Sequence, residues 1–440
     1  MMMRLFVALL LAAWPVALPV PASAQSRLTL QDAIARARTG NPDARIAQVA
    51  EREAAARLDQ ARAWFFPRVD FTESWQRSDH PVFVFSSLLA QRQFTADRFA
   101  IEELNNPDAV NNFRSAFLAQ QLIFDGGSVR AGVRQARLGV EAATISRTQV
   151  EQELAVTATE AFGQVLRAAA ARRAAAGAVA AAEQDLARTR HRRDAGVVTD
   201  ADVLALEAHL ARMREAEVTA TGHERVARTR LNQVMGEPLD ARFELDDAAM
   251  PVTAVDAAGF EQEALGNRPE LKLARIQEAL ADAAVGGARA RFLPQVAAQG
   301  GYEWNGGTFG SREGAWMVGT EVRLSLFHGF GDRARLDEAR HTLARRALER
   351  EKAETNIRLD VQNAVSRLET AQAREAVGRA AEAQAREAQR IVRDRYEGGL
   401  ADVTALLRAA EAVQAAEAQA IAARVDVLLQ AAALERAAGR

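Results

Sequence analysis

The sequence predicts an α+β membrane protein made of two tandem repeats, each combining a β-hairpin with a long antiparallel helical hairpin. The chain contains an internal duplication, and each copy has a segment in which polar and apolar residues alternate. Each copy then has an uninterrupted helical stretch of roughly 65 residues. Beyond the N-terminal segment, no stretch reaches the roughly 18 consecutive apolar residues of a spanning helix, so we expect strands to cross the bilayer.

The duplication is visible as a repeated nonapeptide. Residues 61–69, Ala-Arg-Ala-Trp-Phe-Phe-Pro-Arg-Val, return as residues 288–296, Ala-Arg-Ala-Arg-Phe-Leu-Pro-Gln-Val. The same shift of 227 positions carries Pro42 onto Pro269. A repeat that keeps its register over this length indicates two similar structural units joined in tandem.

A second landmark reveals an insertion in the first copy. Residues 124–131 align with residues 327–334 at a shift of 203 positions, so the first copy holds 24 additional residues between the two landmarks. The predicted divisions are a first repeat over 25–236, a linker or equatorial segment over 237–256, and a second repeat over 257–440.

The N-terminal segment 1–24 has the pattern of a cleavable secretory signal. Its apolar run over residues 5–20 ends in a small-residue processing site, which predicts cleavage after Ala24. The alternative is a membrane anchor, which Pro15 and Pro19 disfavour because they interrupt the apolar run. We therefore expect an exported protein.

Composition excludes several classes of function. The chain has no cysteine, which rules out disulfides, a thiol nucleophile and a lipidated N-terminal cysteine. The net charge of −2 gives no reason to expect a nucleic-acid partner. The six histidines show no metal-ligand spacing, and no catalytic triad or carboxylate pair stands out. We therefore predict no cofactor, no metal and no enzymatic activity.

Each repeat is predicted to begin with helices that lead into strands. In the first copy these helices span Gln31–Thr39 and Pro42–Ala63, and Asn41 caps the second. The matching helix of the second copy opens at residues 267–269. A hairpin with strands of about ten residues then follows, with a turn at Gly306–Gly310. The alternating apolar positions of the second copy are Val296, Ala298, Gly300, Tyr302 and Trp304, then Trp316, Val318, Thr320, Val322, Leu324 and Leu326.

The first hairpin is interrupted by a long insert. Its strands carry Val69, Phe71 and Trp75 and return over residues 113–124, and the insert His80–Asn112 between them is predicted to be an extended loop at the hairpin tip. We expect the tryptophans of the hairpins to form an interfacial girdle, with core packing as the alternative. These tryptophans are Trp75, Trp304 and Trp316.

The helical stretches are predicted to span residues 128–194 and 332–396, each about 100 Å long. An alanine-rich stripe with spacings of four and three recurs in both copies and allows close helix packing. Its members are Leu154, Ala158, Ala161, Val165 and Ala168 in the first copy, and Ile357, Val361, Ala364, Leu368 and Ala371 in the second. Each helix stops at a glycine turn, over 195–198 or 398–401, and a second helix of roughly 35 residues runs back.

Four strands cannot close a barrel, although strands in lipid must leave no open edge. Transmembrane barrels have about eight strands or more, so several chains must contribute to one barrel. The polar strand faces would then line its lumen. The helical hairpins are too long for a compact domain and would extend the tube into the adjoining aqueous compartment.

The chain resembles the TolC family of outer-membrane efflux proteins over nearly its whole length after the signal. The resemblance rests on four features: the duplicated Phe-x-Pro-x-Val segments at Pro67 and Pro294, the segments 122–127 and 231–239, and the glycine turns. It implies a homotrimer with a 12-stranded barrel and a 12-helix periplasmic tunnel, in the outer membrane of a Gram-negative bacterium. The implied partners are a periplasmic adaptor and an inner-membrane efflux pump or ABC exporter.

The resemblance also points to a periplasmic gate at the second glycine turn. Family members have two aspartates there, and this chain has Ala405 and Arg408 at the corresponding positions. Tyr396 matches an aromatic residue that helps to hold the family's closed state. Asp402 or Arg408 could supply a charged ring instead, and the alternative for both is a solvent-facing or capping charge near a helix end.

The glycine turns are the predicted docking surface for the adaptor. Each exposes an apolar residue beside a glycine at the far end of the longest helix. The residues are Gly196, Val197, Gly399 and Leu400. The competing hypothesis for the whole chain is a periplasmic coiled-coil adaptor without a pore, which would have one helical hairpin between compact β domains. The sequence does not indicate the transported substrate.

Overall fold

The computed structural model describes residues 27–246 and 257–440. The predicted signal peptide and residues 247–256 of the predicted linker lie outside these ranges. The first half of the chain forms β1 (Arg27–Leu28), α1 (Leu30–Gly40), α2 (Pro42–Arg62), β2 (Arg68–Ser78), α3 (Pro81–Ala90), α4 (Ile101–Asn105), β3 (Val110–Phe124), α5 (Ser128–Asp194) and α6 (Asp200–Met235). The second half forms β4 (Glu244–Leu245), α7 (Ala257–Asn267), α8 (Pro269–Ala290), β5 (Gln295–Thr308), β6 (Ser311–Arg323), α9 (Gly331–Glu397) and α10 (Val403–Ala438).

The two hairpins join into one antiparallel sheet with the strand order β2-β3-β5-β6. The register places an aromatic row across all four strands, formed by Phe71, Phe117, Tyr302 and Trp316. All four side chains are exposed in the single chain. The predicted apolar alternation therefore describes one continuous face of the sheet.

The strands are longer than predicted, and the second turn is shorter. β5 and β6 have 14 and 13 residues, and Gly306 and Gly307 belong to β5, so only Phe309 and Gly310 separate the strands. Leu324 and Leu326 lie beyond the end of β6 and are not strand residues. The pairing of Thr308 with Ser311 after a register shift allows the ladder to continue into the predicted turn.

The opposite face of the sheet is polar and internally paired. Arg114 and Glu303 form an ion pair of 2.7 Å between neighbouring strands. The three tryptophans of the hairpins all lie on the apolar face, and the side chains of Trp75 and Trp316 are exposed. Those two residues therefore do not pack into a core of the chain.

The insert between β2 and β3 is not the predicted extended loop. It contains the helices α3 and α4 with a single 3-10 turn between them. The ring of Phe94 packs against Phe85 and Phe99 at centroid distances of 4.9 and 5.1 Å. The prediction was wrong because these aromatic residues, separated in sequence, pack against one another, with Phe85 and Phe94 half-buried, and give the insert a small apolar cluster.

The long helices match the predicted ranges to within one residue. α5 and α9 each have 67 residues, and the second helix of each hairpin has 36. All members of the predicted stripes are buried except Ala168, which is half-buried. Among residues 27–246 and 257–440, no helix is both long and apolar enough to cross a membrane.

Each helical hairpin ends at a glycine in the left-handed conformation, which packs against the start of the same repeat. Gly236 (φ 73°) ends α6 and lies against the backbone of Gly40. Gly439 (φ 87°), at the matching position of the second copy, lies against Asn267. The predicted cap Asn41 accepts a hydrogen bond from the Asp43 amide, and its Nδ2 donates to the Val234 carbonyl at 2.8 Å. In both repeats, the end of the helical hairpin therefore contacts the first helices of the repeat through the same kind of backbone contact.

Replacing Gly236 by alanine is expected to destabilise the protein. A Cβ at this position would lie 2.3 Å from the Gly40 carbonyl oxygen, and the left-handed conformation alone costs about 1–2 kcal/mol for a residue with a side chain. The matched control is Gly222→Ala within α6, where a Cβ meets open space and helix propensity predicts a gain of up to about 1 kcal/mol. Thermal unfolding in detergent, followed by circular dichroism, would contradict this view if both variants shifted the midpoint in the same direction.

Candidate functional site

The two glycine turns lie at the ends of the helical hairpins, farthest from the sheet. Gly196 (φ 75°) and Gly399 (φ 74°) adopt the left-handed conformation in which glycine is favoured. The Val197 amide donates to the Arg192 carbonyl at 2.9 Å, and the Leu400 amide donates to the Arg395 carbonyl at 2.8 Å. These bonds satisfy carbonyl groups at the ends of the long helices, as in a Schellman motif.

Each turn presents one apolar side chain to solvent. Val197 is 62% exposed and Leu400 is 74% exposed, and both follow their glycine directly. In the described part of the chain, no atom lies within 4 Å of the Cβ position of Gly196 or Gly399. A side chain from another molecule could therefore approach both glycines without meeting atoms of this chain.

The helices that return from the turns begin with side-chain caps. Thr199 and Asp202 form a reciprocal capping box at the start of α6. Asp402 accepts a hydrogen bond from the Ala405 amide at 2.8 Å and caps α10. The capping role considered for Asp402 is therefore observed, and its carboxylate remains exposed to solvent.

Tyr396 connects the two helical hairpins. Its hydroxyl is 3.2 Å from the hydroxyl of Thr189 on α5, and both side chains are buried. Arg192 donates to the Tyr396 carbonyl at 2.8 Å, and its guanidinium carbon lies 5.1 Å from the centre of the tyrosine ring. The aromatic residue singled out from the sequence therefore holds α9 against α5.

Two ion pairs flank this connection. Arg188 of α5 lies 2.8 Å from Glu397 of α9, and Arg393 of α9 lies 3.5 Å from Asp185 of α5. The Arg188–Glu397 pair is exposed and contributes about 1 kcal/mol or less, and the partly buried Arg393–Asp185 pair is long, so the buried hydroxyl contact and the charge-assisted bond to the carbonyl are the closer contacts of the link.

Arg408 lies on the exposed side of α10, two residues after the buried Leu406. Within the described ranges it forms no hydrogen bond or ion pair with another side chain. The structure therefore brings Tyr396 together with α5 but keeps Arg408 and Asp402 apart from that contact.

Beneath the link, the helix ends share an apolar core and a polar cavity. The core consists of Ala182, Leu186, Val203, Leu206, Leu210 and Met213. A cavity of about 650 Å³ next to it is lined by alanines of α5 and by charged residues of α9, including Glu382 and Arg386. His209 lies at its wall, and burial lowers the pKa of its imidazole, so the neutral ring is favoured there.

Thr189 and Arg192 are the residues of this link that the sequence analysis missed. A signal for them does exist, because Asp185, Thr189 and Arg192 continue the buried side of α5 at spacings of four and three. The sequence could not identify their partner, since Tyr396 lies 207 positions from Thr189.

Among residues 27–246 and 257–440, no group of three or more histidine or carboxylate side chains is arranged to hold a metal ion.

Comparison with known proteins agrees with this architecture. The sequence profile described as outer membrane efflux protein matches residues 33–237 and 261–440. Protein CyaE of Bordetella pertussis is 29% identical over 409 residues, which cover 90% of this chain and 80% of that protein.

Solved structures share the fold. The CmeC outer membrane channel of Campylobacter jejuni superposes with a TM-score of 0.78 at 16% identity, over 93% of this chain and 85% of that one. The outer membrane protein VceC of Vibrio cholerae superposes with a TM-score of 0.75 at 19% identity, over 93% and 96% of the two chains. Members of the matched family reside in the outer membrane with their helices in the periplasm. The chain belongs to the outer membrane efflux protein family, the TolC family indicated by its sequence.

Proposed function

We propose that three copies of this chain form a continuous conduit, with a 12-stranded barrel in the outer membrane and a 12-helix tunnel in the periplasm. One observation carries the proposal. The sheet has an exposed apolar face, and its outer strands β2 and β6 have no further partner among the described residues. Such edges are not tolerated in lipid, so strands of other copies must complete the ladder. The number three follows from the family resemblance.

The polar face of the sheet would line the aqueous passage in this assembly. We infer that substrates enter from an inner-membrane pump or exporter through a periplasmic adaptor and leave at the strand tips. Both tripartite efflux and type I secretion fit this path. The chain itself would act as a passive channel, with its two repeats over 25–236 and 257–440 on either side of a linker at 237–256.

The link between Tyr396, Thr189 and Arg192 would hold the periplasmic end closed. It joins the two hairpins of one chain where the wall must move for the mouth to widen. Asp402 and Arg408, both exposed near the same end, would add charged rings around the mouth. The exposed apolar residues of the turns, Val197 and Leu400, would form the docking surface for the adaptor.

The conduit predicts opposite responses on the two faces of β6. Val318→Arg should block membrane assembly, because a charge on the lipid face costs about 2–4 kcal/mol near the midplane. Arg323→Leu, on the polar face, should assemble normally. The readout is the trimer recovered from the outer-membrane fraction and sized in mild detergent. Equal defects in both variants, or a stable folded monomer for the unaltered chain, would contradict the proposal.

Opening of the gate is expected when Arg192 is replaced by alanine. The variant loses a charge-assisted bond worth about 1.5–3 kcal/mol, enough to shift a closed-to-open equilibrium by about 10-fold or more. Single-channel conductance in a planar bilayer should rise, and Arg408→Ala should also raise it if that residue narrows the mouth. Arg190→Ala is the control, because Arg190 pairs with Glu207 within the first hairpin. A rise in the control and not in Arg192→Ala would place the gate elsewhere.

Docking at the turns predicts a loss of export without a loss of assembly. Leu400→Asp or Gly399→Trp should abolish export by the complete system, because the altered surface would no longer fit an adaptor. Trimer formation and membrane insertion should be unchanged, since the turns lie on the order of 100 Å from the strands. Gly310→Trp is the matched control, because Gly310 lies in the turn between β5 and β6, at the opposite end of the molecule, and has open space around it. Normal export by both turn variants would remove these turns from the docking surface.

A further inference from the structure

The insert between β2 and β3 lies across the polar face of the sheet at its tip. It leaves the sheet at the edge strand β2, and Gln91 at its first bend donates to the Asn111 carbonyl (2.8 Å) and to Asn112 Oδ1 (3.0 Å) on β3. Arg92 then reaches the opposite edge strand, β6, with a hydrogen bond to the Gly314 carbonyl (3.3 Å) and an ion pair with Glu313 (3.5 Å). The insert therefore spans all four strands.

The register shows which face is covered. Asn112 pairs with Gln76, and Glu313 pairs with Asn305, and all four residues alternate with the apolar positions of their strands. Asn305 is only 2% exposed, although it lies on the polar face of the sheet. The insert is thus folded inwards over the polar face, and the apolar face remains uncovered.

A chain of side-chain hydrogen bonds joins the insert to the sheet. Asn112 Nδ2 donates to Asn305 Oδ1 at 2.9 Å, and Asn305 Nδ2 donates to Glu303 at 3.0 Å, which in turn pairs with Arg114. Gln91 of the insert is 3% exposed and extends this chain of amides through its hydrogen bond to Asn112. A buried network of hydrogen-bonded amides favours one docking geometry, so the position of the insert is specific.

α3 has two distinct sides. Val84, Ser87 and Leu88 are buried on one side, as is Gln91 directly after the helix. Val82 and Leu89, seven residues apart on the other side of the helix, are 70% and 50% exposed. Two apolar side chains, two helical turns apart, thus point away from the sheet on the side of α3 that also carries the exposed Ser86.

We propose that the insert forms a constriction at the exterior end of the channel. This inference rests on the proposed trimeric conduit, in which the polar sheet faces line the passage. Each insert covers only the tip of the inner face of its own four strands, so three inserts would form a ring around the passage at the strand tips. The stripe of Val82 and Leu89 lines this ring and makes it apolar. An apolar constriction narrows the passage and opposes wetting by water and ions.

Distances within the trimer test the inward position of the insert directly. The chain has no cysteine, so single spin labels can be attached at Leu89→Cys or, as the matched control, at Val318→Cys on the apolar face. Electron paramagnetic resonance should give shorter label-to-label distances for Leu89 than for Val318, because the former lie inside the ring of strands. Distances at Leu89 that equal or exceed those at Val318 would overturn the proposal.

Conductance tests the constriction itself. Residues 82–106 are replaced by a short glycine–serine link, in the unaltered chain and with Arg192→Ala, so that a closed periplasmic end does not mask the change. Conductance should rise severalfold, and the double variant Gln91→Ala with Arg92→Ala, which keeps the insert but removes its anchors, should show part of that rise. If the Arg192→Ala trimer conducts and neither change to the insert raises its conductance, the exit constriction is wrong and the conduit stands. If the Arg192→Ala trimer forms no channel, the proposed function itself fails.

Discussion

The structure depends on one constraint, that every backbone amide and carbonyl facing hydrocarbon must be hydrogen bonded. A four-stranded sheet satisfies this only internally, because β2 and β6 each leave one side open. The aromatic row through Phe71, Phe117, Tyr302 and Trp316 gives the sheet an apolar face that water cannot solvate favourably. In the proposed conduit, further copies would close the ladder and lipid would cover that face, so oligomerisation and membrane placement would follow from the same requirement.

The long helices would form the wall of the proposed tunnel, which must be thin and about 100 Å long. Alanine-rich stripes on α5 and α9 let neighbouring helices approach closely, and the two left-handed glycines Gly236 and Gly439 return each hairpin to the base of its repeat. Packing is apolar near this base and again beneath the turns, while the part between them holds a polar cavity.

The contacts near the two ends differ in kind. At the helix turns, α5 and α9 are joined by a buried hydroxyl pair and by the guanidinium of Arg192, contacts that form or break as units. At the strand tips, the amides of Gln91, Asn112 and Asn305 bind the insert through a continuous network. The few contacts at the helix turns suit an element that is either closed or open, whereas the continuous network at the strand tips suits an element that stays in place. The proposed conduit would then have a movable narrowing at the periplasmic end and a static one at the exit.

The sequence by itself determined the duplication, the ranges of the long helices and the apolar face of the strands, because these depend on local periodicity. The structure reproduces the predicted α5 and extends α9 by one residue at each end. Tertiary structure alone decided that the insert folds into helices, since the packing of Phe85 against Phe94 and the docking of Gln91 have no periodic signature. It also decided the partners of Tyr396, because a contact across 207 residues depends on how two hairpins pack and is not encoded in either one separately.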